Sequence, residues 1–346
     1  FIGKNKASIT IDSSVFDKTG NTTNDDNSNF RGQNAVVLGI EGSQTSIKDS
    51  NITSNSIGSN AVFATGEGSV INVENTNIHT KGDSSRGLDA TYKGTVNGKN
   101  LTITTEGAHS ATLATDRGEG TITAEAAKLT TSGTGSPVIY STGNITANNV
   151  NGVANKSEIG VVEGKNSITL TNSNVTGYHD NGFMLYQSFS GDAESGIARL
   201  KAENNTLTTH GTGAFIYVNN TTAEADLTGN TILMPNTTTL VKAAADSRWG
   251  KDGENGGHLT LRTSNQALNG NILADAISTV ALDMTNGSSL VGAINTDNTA
   301  KEVTLKLSKD STWTLTGDSY VKSLTNEDTT GENIHLNGYK LVVADK

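Results

Sequence analysis

A loose repeat, recurring at intervals of roughly 21–26 residues, runs along most of the chain. Each repeat holds three short segments in which apolar and polar residues alternate, and Gly, Ser, Asn and Asp separate the segments. Two successive repeats occupy 87–91, 94–98 and 101–105, and then 111–115, 120–124 and 127–131. An alternating strand has one apolar face that must be buried, and three such strands can surround a common axis. The repeat therefore predicts a coil whose turns stack on one another.

Stacking of equivalent strands predicts parallel sheets, in which each core residue packs on its counterparts in the turns above and below. The expected fold is an all-β, single-stranded parallel β-helix with three short strands per turn. About thirteen turns at the inter-strand spacing of ~4.8 Å give a rod on the order of 60 Å long. The columns expected to face inward include Val62, Leu88, Leu113 and Val161 from the first strands, and Ile78, Ile103, Val150 and Leu315 from the third strands.

Composition favours one solenoid over two globular domains. Hydrophobic residues make up 33% of the 346 residues and aromatic residues 5%, and the mean hydropathy is −0.37, which is low for a compact globule. A solenoid needs no new core as it lengthens, because each turn buries its apolar residues against the next. Regular alternation and a charged fraction of only 17% disfavour disorder. Asparagines such as Asn51, Asn77, Asn100 and Asn149 are expected at corners, where their amides form ladders between turns.

Charge and residue types exclude several functional classes. A net charge of −10 makes nucleic acid a poor partner, because binding phosphates requires clustered Lys and Arg. The chain contains no cysteine, so disulfides, thiolate metal sites and cysteine nucleophiles are excluded. The six histidines are scattered, and we expect no metal site and no catalytic residues. No apolar run is long enough to cross a bilayer as a helix.

Changes in the rhythm of the repeat divide the chain into three parts. Residues 1–34 are expected to form an N-terminal turn with a polar loop at 21–27, residues 35–300 the parallel β-helix rod, and residues 301–346 the closing turns of the same solenoid. Two long insertions, at 186–197 and 243–257, interrupt the rod. Larger apolar residues in the last part are typical of turns that close a core.

The pattern resembles the right-handed parallel β-helices of bacterial surface proteins, particularly autotransporter passenger domains and adhesin-like proteins. The segment from Trp313 to Leu324 is similar to the strand that closes many such passengers. The resemblance implies an extracellular stalk at the bacterial cell surface that presents loops for adhesion or associates with copies of itself. A cysteine-free chain rich in Asn, Thr, Ser and Gly fits export. Since no signal peptide precedes Phe1, we expect a mature or trimmed segment.

The candidate binding site lies in the connection that follows the first strand of each turn. Insertions in a solenoid collect on one face, and that face is often the binding face. If the register holds, the two long insertions are about two turns, or ~10 Å, apart on one side of the rod. Aromatic faces flanked by hydrogen-bonding groups suit a ligand such as a sugar. The resemblance to surface adhesins implies that the partner is a glycan or protein of a host or neighbouring cell. The candidate ligand-binding residues are Tyr186, Phe189, Asp192, Arg248, Trp249, Asp116 and Arg117.

Several alternatives stay open at this stage. Trp249 and Phe189 also fit a simpler role, in which they pin their loops to the rod. Parallel β-helices also include glycoside hydrolases, which need paired carboxylates, and polysaccharide lyases, which need a Lys or Arg base. The candidate groups for such chemistry are Asp116 with Arg117, Asp192 with Glu194, and Asp246 or Asp252 with Lys251 and Arg248.

Two further alternatives concern assembly and calcium. Self-association into aggregates or filaments is the main rival to adhesion, because a rod with open ends and polar flanks offers templates for stacking. No cofactor is expected, although calcium is a candidate ligand at 252–255 or 24–27, where oxygen-bearing side chains cluster.

Overall fold

The computed structural model describes residues 1–344, which form one short α-helix and thirty-seven β-strands. The helix α1 spans Asp25–Arg31. The strands are β1 (Ile2–Gly3), β2 (Ser8–Asp12), β3 (Val15–Lys18), β4 (Val37–Gly39), β5 (Gln44–Lys48), β6 (Asn51–Ser54), β7 (Val62–Thr65), β8 (Val70–Glu74), β9 (Asn77–Thr80), β10 (Leu88–Thr91), β11 (Thr95–Thr105), β12 (Leu113–Thr115), β13 (Thr121–Thr131), β14 (Ile139–Ser141), β15 (Asn144–Asn148), β16 (Asn151–Ala154), β17 (Gly160–Glu163), β18 (Ser167–Thr171), β19 (Asn174–Gly177), β20 (Phe183–Tyr186), β21 (Ile197–Glu203), β22 (Thr206–Thr209), β23 (Ile216–Asn219), β24 (Thr221–Thr228), β25 (Thr231–Leu233), β26 (Thr239–Ala243), β27 (Gly257–Ser264), β28 (Ala267–Asn269), β29 (Asn271–Ala274), β30 (Thr279–Thr285), β31 (Ser289–Val291), β32 (Glu302–Leu307), β33 (Thr312–Thr314), β34 (Ser319–Val321), β35 (Ser323–Asn326), β36 (Ile334–His335) and β37 (Leu341–Val343).

These strands wind into an all-β parallel solenoid of about 12 turns, consistent with a right-handed parallel β-helix. Equivalent strands of successive turns pair in parallel, as β7, β10 and β12 do in the column that starts each turn. This first sheet contains eleven strands, from β1 to β29. The second and third strands of two turns are continuous, which produces the eleven-residue strands β11 and β13. The predicted fold class is confirmed, with close to the expected number of turns.

The core is a continuous apolar column inside the coil. Ile71, Val96, Ile122 and Ile145 follow one another in the second sheet, each paired with its neighbour in the next turn. All four are buried, so each turn places its branched side chain on the one below. Because burial of one such side chain stabilises by about 1.5–3 kcal/mol, the stacked columns supply the main stabilising contribution.

Three residues predicted in the inward columns occupy different positions. Gly160, and not Val161, is the inward partner of Phe183, so Val161 points away from the core. Gly152 and Trp313 hold the places in the third column that Val150 and Leu315 were expected to hold. The adjacent Val161 and Val162 make either phase of β17 plausible from sequence, and only the pairing with neighbouring turns decides between them. Val150 and Leu315 are instead two residues away from the paired positions, a shift that keeps the same face, and both remain in the core.

Asparagines occupy the corners between the second and third strands. Asn75, Asn100 and Asn149 have positive φ there, a conformation that Asn tolerates better than other residues with a side chain. The predicted ladders are present: Asn77 Nδ2 donates to Asn51 Oδ1 at 3.0 Å. The same corner position is filled by Ala126, with a φ of 53°.

The N-terminal segment differs from the polar loop expected at 21–27. It leads into helix α1, whose start is capped by Asn24, since the Asn24 side chain accepts a hydrogen bond from the backbone N–H of Asn27. Gly32 ends the helix in the left-handed conformation. A cap residue, two acids in the first turn and a glycine after Arg31 are ordinary signals of a short helix. The helix lies against the outer face of the first sheet.

Candidate functional site

A groove of about 590 Å³ runs along the outer face of the first sheet. Its floor consists of outward-facing residues from β12, β14, β17 and β20, which are paired in register: Ala114, Tyr140, Val161 and Met184. Four strands at ~4.8 Å spacing give the floor a length of about 14 Å along the rod axis. Because these positions alternate with the core residues, the same strands support the solenoid and form the groove.

One wall of the groove is an aromatic cluster that joins the two long insertions. The ring centroids of Tyr186 and Trp249 are 5.6 Å apart, and those of Phe189 and Trp249 are 6.2 Å apart. Both distances are typical of favourable aromatic pairs. Tyr186 packs on the sheet and is buried, whereas Phe189 is 69% exposed. Residues 186–197 and 243–257 are therefore neighbours on the side of the rod that the repeat predicted.

Three arginines around the groove are each paired with a carboxylate. Arg117 donates from Nε to Asp192 at 2.9 Å and lies 3.7 Å from the centre of the Phe30 ring. Arg248 contacts Asp246 at 2.8 Å. The hydrogen bond from Arg248 lowers the pKa of Asp246, so this carboxylate remains ionised over a wide pH range.

The third pair is buried and belongs to the floor below helix α1. Arg86 Nη2 lies 3.2 Å from Asp116 Oδ1, and Arg86 Nη1 donates to Asn29 of the helix at 2.6 Å. Asp89 lies beside this pair and is fully buried. Burial, and then the charge of Asp116, raise the pKa of Asp89 well above its ordinary value, which favours the neutral acid beside Asp116.

Glu163 organises the middle of the groove. Its carboxylate accepts hydrogen bonds from Tyr140 at 2.7 Å, Tyr186 at 3.1 Å and Ser190 at 3.2 Å, and also from Ser188. The side chain is buried, and the four hydroxyl donors satisfy its oxygens. Burial, followed by the charges of the neighbouring groups, raises the pKa values of both tyrosines, which therefore stay protonated donors. Glu163 thus fixes two aromatic rings of the groove and the loop that begins at Gln187.

The structure brings the seven predicted site residues into one region. Five of them line the groove, and the other two, Arg117 and Phe189, contact Asp192 and Trp249 at its edge. Sequence reasoning missed four lining residues, Phe30, Arg86, Tyr140 and Met184, and two buried acids that interact with lining residues, Asp89 and Glu163. The sequence did carry a signal for Tyr140 and Met184. Both are large side chains at the outward-facing position of a first strand, where exposed apolar surface indicates contact with another segment or with a ligand.

Four of the five acids considered for catalysis are engaged in ion pairs, and the fifth, Asp252, is exposed. Glu194 pairs with Lys165 at 2.6 Å, and Asp116, Asp192 and Asp246 are paired with arginines as described above. Within residues 1–344, no group of three or more His, Cys, Asp or Glu side chains is arranged to hold a metal ion. Calcium binding at 252–255 or 24–27 stays a prediction. In the same range no helix is long and apolar enough to cross a membrane.

Comparison with protein-family models, with curated proteins and with solved structures found no match.

Proposed function

We propose that this chain is a non-catalytic, adhesin-like binding module that holds a glycan in the groove on its first sheet. The observation that carries the proposal is the meeting of the two long insertions over this sheet, where Phe189 and Trp249 form an aromatic wall next to paired charges. Aromatic faces pack against the apolar faces of sugar rings, and neighbouring polar groups fix the hydroxyls.

The exposure of Phe189 favours binding over simple loop packing. Tyr186 and most of Trp249 pack their loops onto the sheet, as the simpler role requires. Phe189, however, leaves 69% of its surface in solvent while touching Trp249. Exposed aromatic surface at the rim of a groove is typical of a contact site. The resemblance to bacterial surface β-helices supports an extracellular position, where such a module meets the glycans of a host or neighbouring cell.

The non-catalytic part of the proposal is supported by the pairing of the acids. Glycoside hydrolysis needs one carboxyl group as acid and another as base or nucleophile, both facing the substrate. Asp116 and Asp89 are both buried, and Asp116 is paired with Arg86. Cleavage of a polysaccharide by the full chain, detected as new reducing ends, would overturn this part.

A glycan-array screen of the full chain, followed by titration of the bound glycans, tests the proposal. Wild-type protein is expected to bind, and Phe189→Ala to lose about tenfold in affinity, which corresponds to about 1.4 kcal/mol. Tyr339→Ala, which removes an exposed aromatic ring near the C-terminal end, is the matched control and should bind like wild type. Equal binding by both variants would move the site away from the groove.

Self-association is the alternative function, and a flank of the rod favours it. Asn72, Asn97 and Thr123 form a ladder of hydrogen-bonded side chains across three turns, at 3.0 and 2.7 Å. Such a flat polar stripe is a candidate surface for lateral pairing between rods. Sedimentation over a hundredfold concentration range separates the two functions, because a monomer that binds glycans does not need assembly.

A further inference from the structure

The charges around the groove are balanced within the chain. Arg86 pairs with Asp116, Arg117 with Asp192, and Arg248 with Asp246. Each pair contributes a formal charge of zero, although the chain as a whole carries −10. The excess negative charge therefore lies outside these three pairs.

The other carboxyl groups in or beside the groove add no positive charge that could hold an acidic sugar. Asp89 is fully buried, and burial together with the charge of Asp116 raises its pKa, which favours its neutral form. Burial also raises the pKa of Glu158, whose carboxyl accepts a hydrogen bond from Ser157 at 2.8 Å. Glu163 is enclosed by four hydroxyl groups and faces no solvent. His109 stands exposed at the rim.

Taking this proposed function as its basis, the geometry points to an uncharged oligosaccharide as the ligand of the groove. Among the described residues that line it, both guanidinium groups are already bound to a carboxylate. An acidic sugar finds no unpaired guanidinium here. It must share one that a carboxylate already neutralises or displace that carboxylate, and separating a partly buried ion pair leaves a charge without its partner. A neutral sugar avoids that cost, because a paired carboxylate keeps lone pairs free for a hydroxyl donor, and a paired guanidinium keeps spare N–H groups for a hydroxyl oxygen.

The two tryptophans give the test a local signal. Trp249 stands in the aromatic wall, whereas Trp313 is fully buried in the core, where its Nε1 donates to the Gly292 carbonyl at 3.0 Å. A ligand in the groove changes the emission of Trp249 and leaves that of Trp313 unchanged. Trp249→Phe is therefore expected to remove the fluorescence response to a bound sugar.

The experiment titrates the full chain with two sets of hexasaccharides. The neutral set contains cello-, xylo-, manno- and malto-oligosaccharides, and the acidic set contains oligogalacturonate and a heparin fragment. We expect binding to at least one neutral oligosaccharide with a Kd that changes less than threefold between 50 and 500 mM NaCl. Acidic sugars bound through paired arginines should instead lose affinity steeply with salt.

The outcomes separate this inference from the proposed function. Binding of acidic but not neutral sugars, abolished by Phe189→Ala, overturns the inference and retains the glycan function. Failure of both sets and of the glycan array overturns the proposed function itself. Asp246→Asn adds a direct check of the charge argument, since it leaves Arg248 unpaired. That variant should acquire at least fivefold more affinity for oligogalacturonate, and no gain would contradict the role given to the ion pairs.

Discussion

The guanidinium of Arg117 lies 3.7 Å from the centre of the Phe30 ring. Arg117 stands in the loop after β12, the fifth strand of the first sheet, and Phe30 belongs to helix α1, so this contact joins the loop to the helix. Arg117 also holds Asp192 of the long insertion. One side chain therefore links the helix at one end of the groove to the loop that forms its wall. Cation–π contacts of this kind stabilise by about 0.5–2 kcal/mol.

Removal of the Phe30 ring should loosen helix α1 without unfolding the rod. We expect Phe30→Ala to lower the free energy of unfolding by about 1 kcal/mol, because it removes the cation–π contact with Arg117. Amide hydrogen exchange should rise in residues 25–31 while β13 stays protected. Phe189→Ala, which does not contact the helix, is the control. Unchanged exchange in the helix would show that its polar contacts to Arg86 suffice.

Asp89 should make stability depend on pH. Because its pKa is raised in the folded protein, its contribution is fully present below the ordinary value of 3.8 and is lost as the pH rises through the raised pKa. Asp89→Asn should therefore match wild type near pH 4 and be more stable than wild type near pH 8. Urea unfolding at both pH values measures this, and Asp252→Asn, in an exposed loop, is the control. A constant difference between the two proteins at all pH values would contradict the assignment.

Loss of the Glu163 carboxylate should disorganise the groove. Glu163→Gln replaces one acceptor oxygen with an NH2 group, which faces hydroxyl donors and cannot accept their hydrogen bonds. Because one buried group is then left unsatisfied, the free energy of unfolding should fall by about 1–3 kcal/mol. The fluorescence response of Trp249 and the protection of residues 187–196 should fall together. Glu254→Gln, at an exposed carboxylate, should change neither. Normal protection in Glu163→Gln would mean that the aromatic packing alone orders the loop.

The corner at Ala126 offers a stabilising substitution. The left-handed conformation costs a non-glycine residue about 1–2 kcal/mol of conformational free energy, and Asn tolerates this conformation better than Ala. Ala126 adopts a φ of 53° at the position where neighbouring turns have Asn100 and Asn149. Ala126→Asn should raise the free energy of unfolding by about 0.5–1 kcal/mol. Ala147→Asn, in the core, should instead destabilise the protein strongly.

The repeat allowed the fold and the side of the rod to be predicted, since alternation and spacing depend on residues near one another in sequence. The insertions with Tyr186 and Trp249 were located in the same way. Asp89, Glu163 and Arg86 were missed because their importance depends on what covers them. A lone Asp in a Leu-Asp-Ala strand is ordinary until helix α1, from a distant part of the chain, is packed on it. The polar composition of 21–27 also concealed the helix, whose capping signals are short.

The in-register stacking of the first sheet has a consequence for how such a groove changes during evolution. Each strand adds one step of ~4.8 Å to the floor. Duplication of a whole turn between β14 and β17 would therefore move the Phe30 end and the Trp249 end apart by one such step, with the core columns intact. The length of such a groove would therefore change in steps of one coil.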